Sequence, residues 1–124
     1  MGTRLMIAIV AGFAMSAGVH TQQPLTVRGE IVEVSCYTKL GIEKSTGAGH
    51  AACAKECVAK GQPLAILTDG DGLLKITGDY AVDKYAKLLP HVGREVEATG
   101  TPDRYLDYSR AINVTKLTPV AAKK

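Results

Sequence analysis

Tryptophan is absent, and the single phenylalanine, Phe13, lies in an apolar run near the start of the chain. Five tyrosines are the only other aromatic residues. A stacking platform for single-stranded nucleic acid is therefore poorly supplied. The net charge of +3 is too small to signal an acidic partner, so nucleic acid and anionic lipid are both disfavoured. No apolar run reaches the ~20 residues of a membrane span. There is no G-x-S-x-G, no P-loop and no H-E-x-x-H, which removes the commonest hydrolase, nucleotide and zinc-protease signatures. A C-x-x-C redox pair and a C-x-x-C-H haem attachment site are missing too. Haem held by His50 and a cysteine alone is a remote option. These absences leave an enzyme the weaker expectation, a thiol enzyme weakest of all.

Cysteine is scarce, with three residues in 124. Their placement carries most of the information. Cys53 and Cys57 fall in Gly49-His50-Ala51-Ala52-Cys53-Ala54-Lys55-Glu56-Cys57, and Cys36 lies upstream at the end of a strand-like run. His50, Cys53 and Cys57 are spaced i, i+3, i+7. At about 100° per residue they share roughly 60° of one helix face. Cys36 is positioned to close the site from the side. A Cys3His set of Cys36, His50, Cys53 and Cys57 suits tetrahedral Zn(II), and its thiolates also suit Cu(I). A competing reading pairs Cys36 with Cys53 or Cys57 in a disulfide that staples the segment down and leaves one thiol over. A Cys53–Cys57 bond within one regular helix is disfavoured by geometry.

The start of the chain reads as a secretory leader. Arg4 precedes the uncharged run Leu5–Met15, and Ser16-Ala17-Gly18 follow as small residues. The expectation is a leader over 1–18, trimmed between about Ser16 and His20, and one domain over 19–124. The trimmed protein is expected to be periplasmic or secreted, with no stable membrane insertion. Loss of Arg4 lowers the net charge from +3 to +2. About a hundred residues remain, enough for a small core that benefits from a staple. A mature start at Gly18 would make His20 the third residue of an amino-terminal Cu(II) or Ni(II) donor set.

Along the remaining chain, strands dominate. Leu25 to Cys36 alternates, but its parity switches near Gly29, which predicts a bulge or sharp coil. A Gly-rich loop, Lys39 to Gly49, leads into a helix at about His50–Lys60, with Gly61 as its C-terminal stop and Pro63 beyond. Leu64–Leu67 and Leu73–Ile76 flank Thr68-Asp69-Gly70-Asp71-Gly72 as a hairpin. That Asp-Gly-Asp-Gly lacks the further ligands of a calcium loop. A short helix is predicted over Val82–Leu89, with Tyr85, Leu88, Leu89 and Val92 on its apolar side. Arg94–Thr101 and Ala111–Leu117 alternate as two closing strands. Glu30 and Glu33 read as solvated strand faces, Tyr37 as core or a lid over the helical segment, and His91 as a surface or capping residue.

Long bent strand, hairpin, short helix and two strands follow the order of an OB-fold: mainly β, a five-stranded, partly open Greek-key barrel. The Cys/His-bearing helix becomes an insertion at about 37–62. The phrases Val92-Gly93-Arg94-Glu95-Val96-Glu97-Ala98-Thr99-Gly100 and Ala111-Ile112-Asn113-Val114 resemble OB-fold closing strands. With Cys36-Tyr37 and Gly49-His50-x-x-Cys53-Ala54-x-x-Cys57, the chain resembles a loose family of small exported bacterial OB-like proteins. The resemblance implies a fold and an exported setting, and fold analogy implies no activity. The functional expectation is thus an exported metal-binding module using Zn or Cu, with the metal ion and another exported protein as partners. The alternative is a disulfide-stabilised OB-type module that binds a ligand or protein without metal.

Overall fold

The computed structural model describes residues 22–70 and 72–121, together with Gly12, Ala17 and Gly18. The rest of the expected leader, His20, Asp71 of the hairpin turn and the tail after Ala121 lie outside the described residues. Five strands form a closed barrel in the order β1-β2-β3-β5-β4. They are β1 Leu25–Glu33, β2 Leu64–Thr68, β3 Gly72–Thr77, β4 Glu95–Arg104 and β5 Arg110–Pro119. All ladders are antiparallel except β3 with β5, where Lys75, Ile76 and Thr77 face Ala111, Ile112 and Asn113 in parallel. That parallel ladder closes a barrel that the sequence suggested would be partly open. Both closing strands also run further than their alternation showed.

The parity switch in β1 has a clear physical origin. Leu25 to Glu30 pair with β4, and Glu30 to Glu33 pair with β2. One strand thus serves two ladders and must coil sharply between them. Gly29 lies at that change of partner, where a Cβ would sit 2.2 Å from the Leu67 carbonyl oxygen. The backbones approach so closely that only glycine fits without movement.

Ile31, Leu64, Ile66, Ile76, Val96, Ala98, Ile112 and Val114 fill the barrel interior. Three helices lie between β1 and β2: α1 Val34–Leu40, α2 Ile42–Ser45 and α3 Ala51–Ala59. The helical segment begins earlier than the sequence suggested. Val34 and Cys36 do not continue β1; they open α1. The expected loop Lys39–Gly49 contains α2 and a 3₁₀ turn at Ala48–His50. Ala54 and Val58, four residues apart on α3, join the barrel core, which fixes the rotation of that helix. Gly61 ends it with a left-handed φ of +96°. Its N–H donates to Val58, and that of Gln62 to Cys57, satisfying carbonyls of the last turn.

The helix expected over Val82–Leu89 is not a regular helix. A 3₁₀ turn spans Gly78–Tyr80, a second covers Leu89–His91, and Val82–Tyr85 lies between them. Asp83, Lys84 and Tyr85 all have left-handed φ, at 52°, 52° and 59°. Right-handed helix through this stretch is thereby excluded. The apolar pattern still selects the inward residues, since Tyr85, Leu88 and Val92 are buried. Lys84 reaches across and donates through Nζ to the Ala59 carbonyl at 3.1 Å, tying this turn to the end of α3. Among the described residues no helix is long and apolar enough to cross a membrane.

Candidate metal centre

The insert leaves the barrel at Glu33 and returns at Pro63, where the Val34 N–H donates to the Pro63 carbonyl at 3.1 Å. Glu33 is the last residue of β1 and also the N-cap of α1. One carboxylate oxygen accepts from the Ser35 N–H at 2.8 Å. The other accepts from the Cys36 N–H at 2.6 Å and the Ser35 hydroxyl at 2.8 Å. These bonds satisfy donors that the first turn of a helix otherwise leaves open. They also fix the start of α1 and with it the position of Cys36.

Glu33 is fully buried, so its reading as a solvated strand residue is corrected. Glu30 is half-buried and accepts from the Gly47 N–H, pinning the loop that precedes α3. Glutamate is not a favoured cap residue, and the alternation of Val32, Val34 and Cys36 imitates a continuing strand. The signal that could have found Glu33 was the placement of an acid just before Ser35 and Cys36, whose orphan N–H groups need an acceptor.

The three sulfurs converge. Sγ of Cys36 lies 3.8 Å from Sγ of Cys57. With Cys53, all three ligand atoms fall within 4.8 Å of one another. On α3 the Cys53–Cys57 stripe lies roughly 100° round the helix from the Ala54–Val58 core stripe. Docking α3 on the barrel through its alanine and valine therefore turns the cysteines sideways toward α1. Burial is graded across the cluster: Cys36 is buried, Cys57 half-buried and Cys53 exposed.

His50 is not part of that sulfur group. It occupies the N-cap position of α3 but makes no side-chain cap bond. Its Nε2 is buried and has no hydrogen-bond partner. A buried ring nitrogen without a partner is costly, and such a group in a native structure calls for an explanation such as an ion or water.

All three cysteines are free thiols, so the disulfide staple of the competing reading is not present. The closest pair, Cys36 and Cys57, are hydrogen-bonded thiols at 3.8 Å, against about 2.05 Å for a sulfur–sulfur bond. Hydrogen bonding at Glu33 and core packing of α3 hold the insert instead. Burial pushes the Cys36 thiol well above its ordinary range, helped by hydrogen bonding to Glu33 and Cys57 and by the Glu33 charge. Burial also pushes Glu33 up, but the Cys36 thiol, the Cys36 and Ser35 N–H groups and the Ser35 hydroxyl outweigh it. The carboxyl is held below its ordinary value. In the absence of metal, Cys36 is thus a protonated thiol beside a carboxylate.

Tyr37 is half-buried and lines a groove of about 720 Å³ between the insert and the β1–β2 face, with Ile42, Arg28 and Thr68. His91 is half-buried on its 3₁₀ turn. Among the described residues, the cysteine trio is the only group of three or more side chains gathered closely enough to hold a metal ion. No protein-family model, no curated protein and no solved structure matches this chain.

Proposed function

We propose that this chain is an exported OB-fold-type module that binds one soft metal ion, Cu(I) ahead of Zn(II), through Cys36, Cys53 and Cys57. The observation that carries the reading is the sulfur spacing. Metal–sulfur bonds of about 2.3 Å in tetrahedral geometry place two ligand sulfurs about 3.8 Å apart. Cys36 and Cys57 already stand at 3.8 Å. Cys53 lies within the 4.8 Å limit of the group, so closure asks for about 1 Å of movement or less at an exposed side chain. The donor chemistry agrees, since three thiolates suit Cu(I) and Zn(II) far better than hard cations. His50 stands outside the sulfur group, and its unpartnered Nε2 would supply the fourth donor only by moving toward the cysteines. The exposure of Cys53 favours exchangeable cargo over a closed structural site. Strand order supports the OB-fold reading, and the Arg4–Gly18 grammar supports export.

Anaerobic titration of the reduced mature protein with Cu(I), under a competing chelator of known affinity, tests the reading. One copper per chain should bind, with thiolate-to-copper absorption and protection of the cysteines from alkylation. Cys53→Ser and Cys57→Ser should each weaken binding by on the order of ten- to a hundredfold, and His50→Ala by less. Alkylation at full speed in the presence of one equivalent of copper would sink the proposal. Amino-terminal sequencing of protein from the producing cell tests export separately. A start between Ser16 and His20 is expected; an intact Met1 in the mature pool counts against it.

A further inference from the structure

We infer that Cys53 is the port of the metal site, through which Cu(I) is received from and returned to a thiolate-bearing carrier by direct ligand exchange. The inference rests on the metal-binding reading above and deepens it by naming the route and the chemistry of the partner. The burial gradient is its foundation. Cys36 is 7 % exposed, its N–H held by Glu33 and its sulfur against Cys57. No incoming ligand can reach that sulfur first. Cys57 is half-buried on the second turn of α3. Cys53, one turn earlier, is exposed and lies in the first turn of the helix. A carrier-bound copper therefore meets Cys53 first, Cys57 next and Cys36 last.

The exchange chemistry balances without a redox partner. A bond forms between copper and Sγ of Cys53 as one carrier–copper bond breaks, and the Cys53 proton passes to the released carrier thiolate or to solvent. Repeating the step at Cys57 and Cys36 moves the ion inward, each thiol giving up one proton while copper remains Cu(I). At each stage the metal keeps its sulfur ligands, so no bare ion is released. The two ends of the path are built differently. Cys36 is immobilised by a capped helix, which suits retention. Cys53 faces solvent with small neighbours, Ala52 and Ala54, on either side in sequence, which suits approach by another thiolate.

Stopped-flow transfer measurements on the full mature protein test this. Copper is supplied as its glutathione complex in one arm and on a short Cys-x-x-Cys peptide in the other, and it is removed with a chelating dithiol. The expected rate of removal rises with dithiol concentration, because the incoming ligand takes part in the step. Cys53→Ser should slow transfer by about tenfold or more, as expected for a change that acts on exchange rates. Cys36→Ser should weaken retention of the ion by about tenfold or more, because it removes the buried ligand. Circular dichroism of the exposed-site variant confirms that it folds. Delivery from both carriers assigns a port open to protein thiols, and delivery from glutathione alone assigns a small-thiol carrier; both support the inference. A removal rate independent of dithiol concentration, or Cys53→Ser exchanging as fast as the native protein, overturns it while leaving the metal site intact. Failure of the native protein to bind copper under any supply overturns the functional reading itself.

Discussion

Glu33 combines two jobs in one side chain. It closes the N-terminus of α1, and its carboxylate faces the innermost sulfur of the cluster. Replacing it with glutamine keeps the shape and removes the charge. Glu33→Gln is expected to destabilise the metal-free protein by about 1–3 kcal/mol, the range for a buried charged hydrogen-bond acceptor. The pH dependence follows from the two directions of shift. Glu33 is held below its ordinary value in the folded state. Its stabilisation is therefore full above the unfolded value of about 4.3 and is lost as pH falls through the lower folded value. Cys36 is pushed up, so its contribution is full below the unfolded value of about 8.5 and is lost as pH rises toward the folded one. Urea midpoints of the apo protein should show a plateau between these limits and a decline on both sides. Glu33→Gln should flatten the acid limb. An acid limb unchanged by that substitution would show that other carboxylates govern it. Metal affinity should also fall at acid pH, because protons compete for the thiolates.

Among the elements, β1 and the Val82–Tyr85 turn show what a sequence reveals and what it conceals. The coil in β1 was legible because the inward parity changes where Gly29 allows two backbones to meet. Gly29→Ala places a Cβ 2.2 Å from the Leu67 oxygen and 2.8 Å from Ile66 Cγ2. The obstacle is partly backbone and cannot rotate away. A loss of about 2–3 kcal/mol is expected, near the upper end for overpacking, to be checked by chemical denaturation; a neutral result would mean that β1 and β2 separate easily. The helices were only partly legible. α3 declared itself through the His50, Cys53 and Cys57 spacing and the Gly61 stop, whereas α1 was hidden by Val34 and Cys36, which continue strand alternation while Glu33 caps the backbone. At Asp83, Lys84 and Tyr85 the spacing selected the buried residues correctly and the backbone wrongly. Burial constrains where a side chain ends, not which hand the chain takes to bring it there. Left-handed φ at residues with a Cβ is held by tertiary context, here including the Lys84 bond to Ala59.

At the scale of the molecule, the insert is held to the barrel by Ala54 and Val58 in the core, by Glu33 and the Val34–Pro63 bond at the base, by Glu30 on the loop and by the Lys84 bond to Ala59. The ligand spacing foretold that Cys53 and Cys57 share a face, and tertiary docking of α3 brings Cys36 to them. The exposure of Cys53 was not legible, because helical periodicity gives a residue's angle but not what covers it. A metal shared by Cys36 on α1 and Cys53 and Cys57 on α3 would add a strong link between two helices that otherwise touch through the Cys36–Cys57 thiol contact. Binding to the folded state alone stabilises by about 2.7 kcal/mol at a free metal level a hundred times Kd. For a domain of this size that corresponds to roughly 10–20 °C in Tm. Copper-loaded protein should therefore melt well above the apo form, and Cys57→Ser should abolish about half or more of the difference. Hydrogen exchange adds the spatial test. Amides of α1 and α3 should gain more protection on loading than those of the β2–β3 hairpin, which the barrel already secures through its ladders. Equal protection everywhere would mean that the metal only stabilises global folding. Protection concentrated in the barrel would place the ion away from the three cysteines.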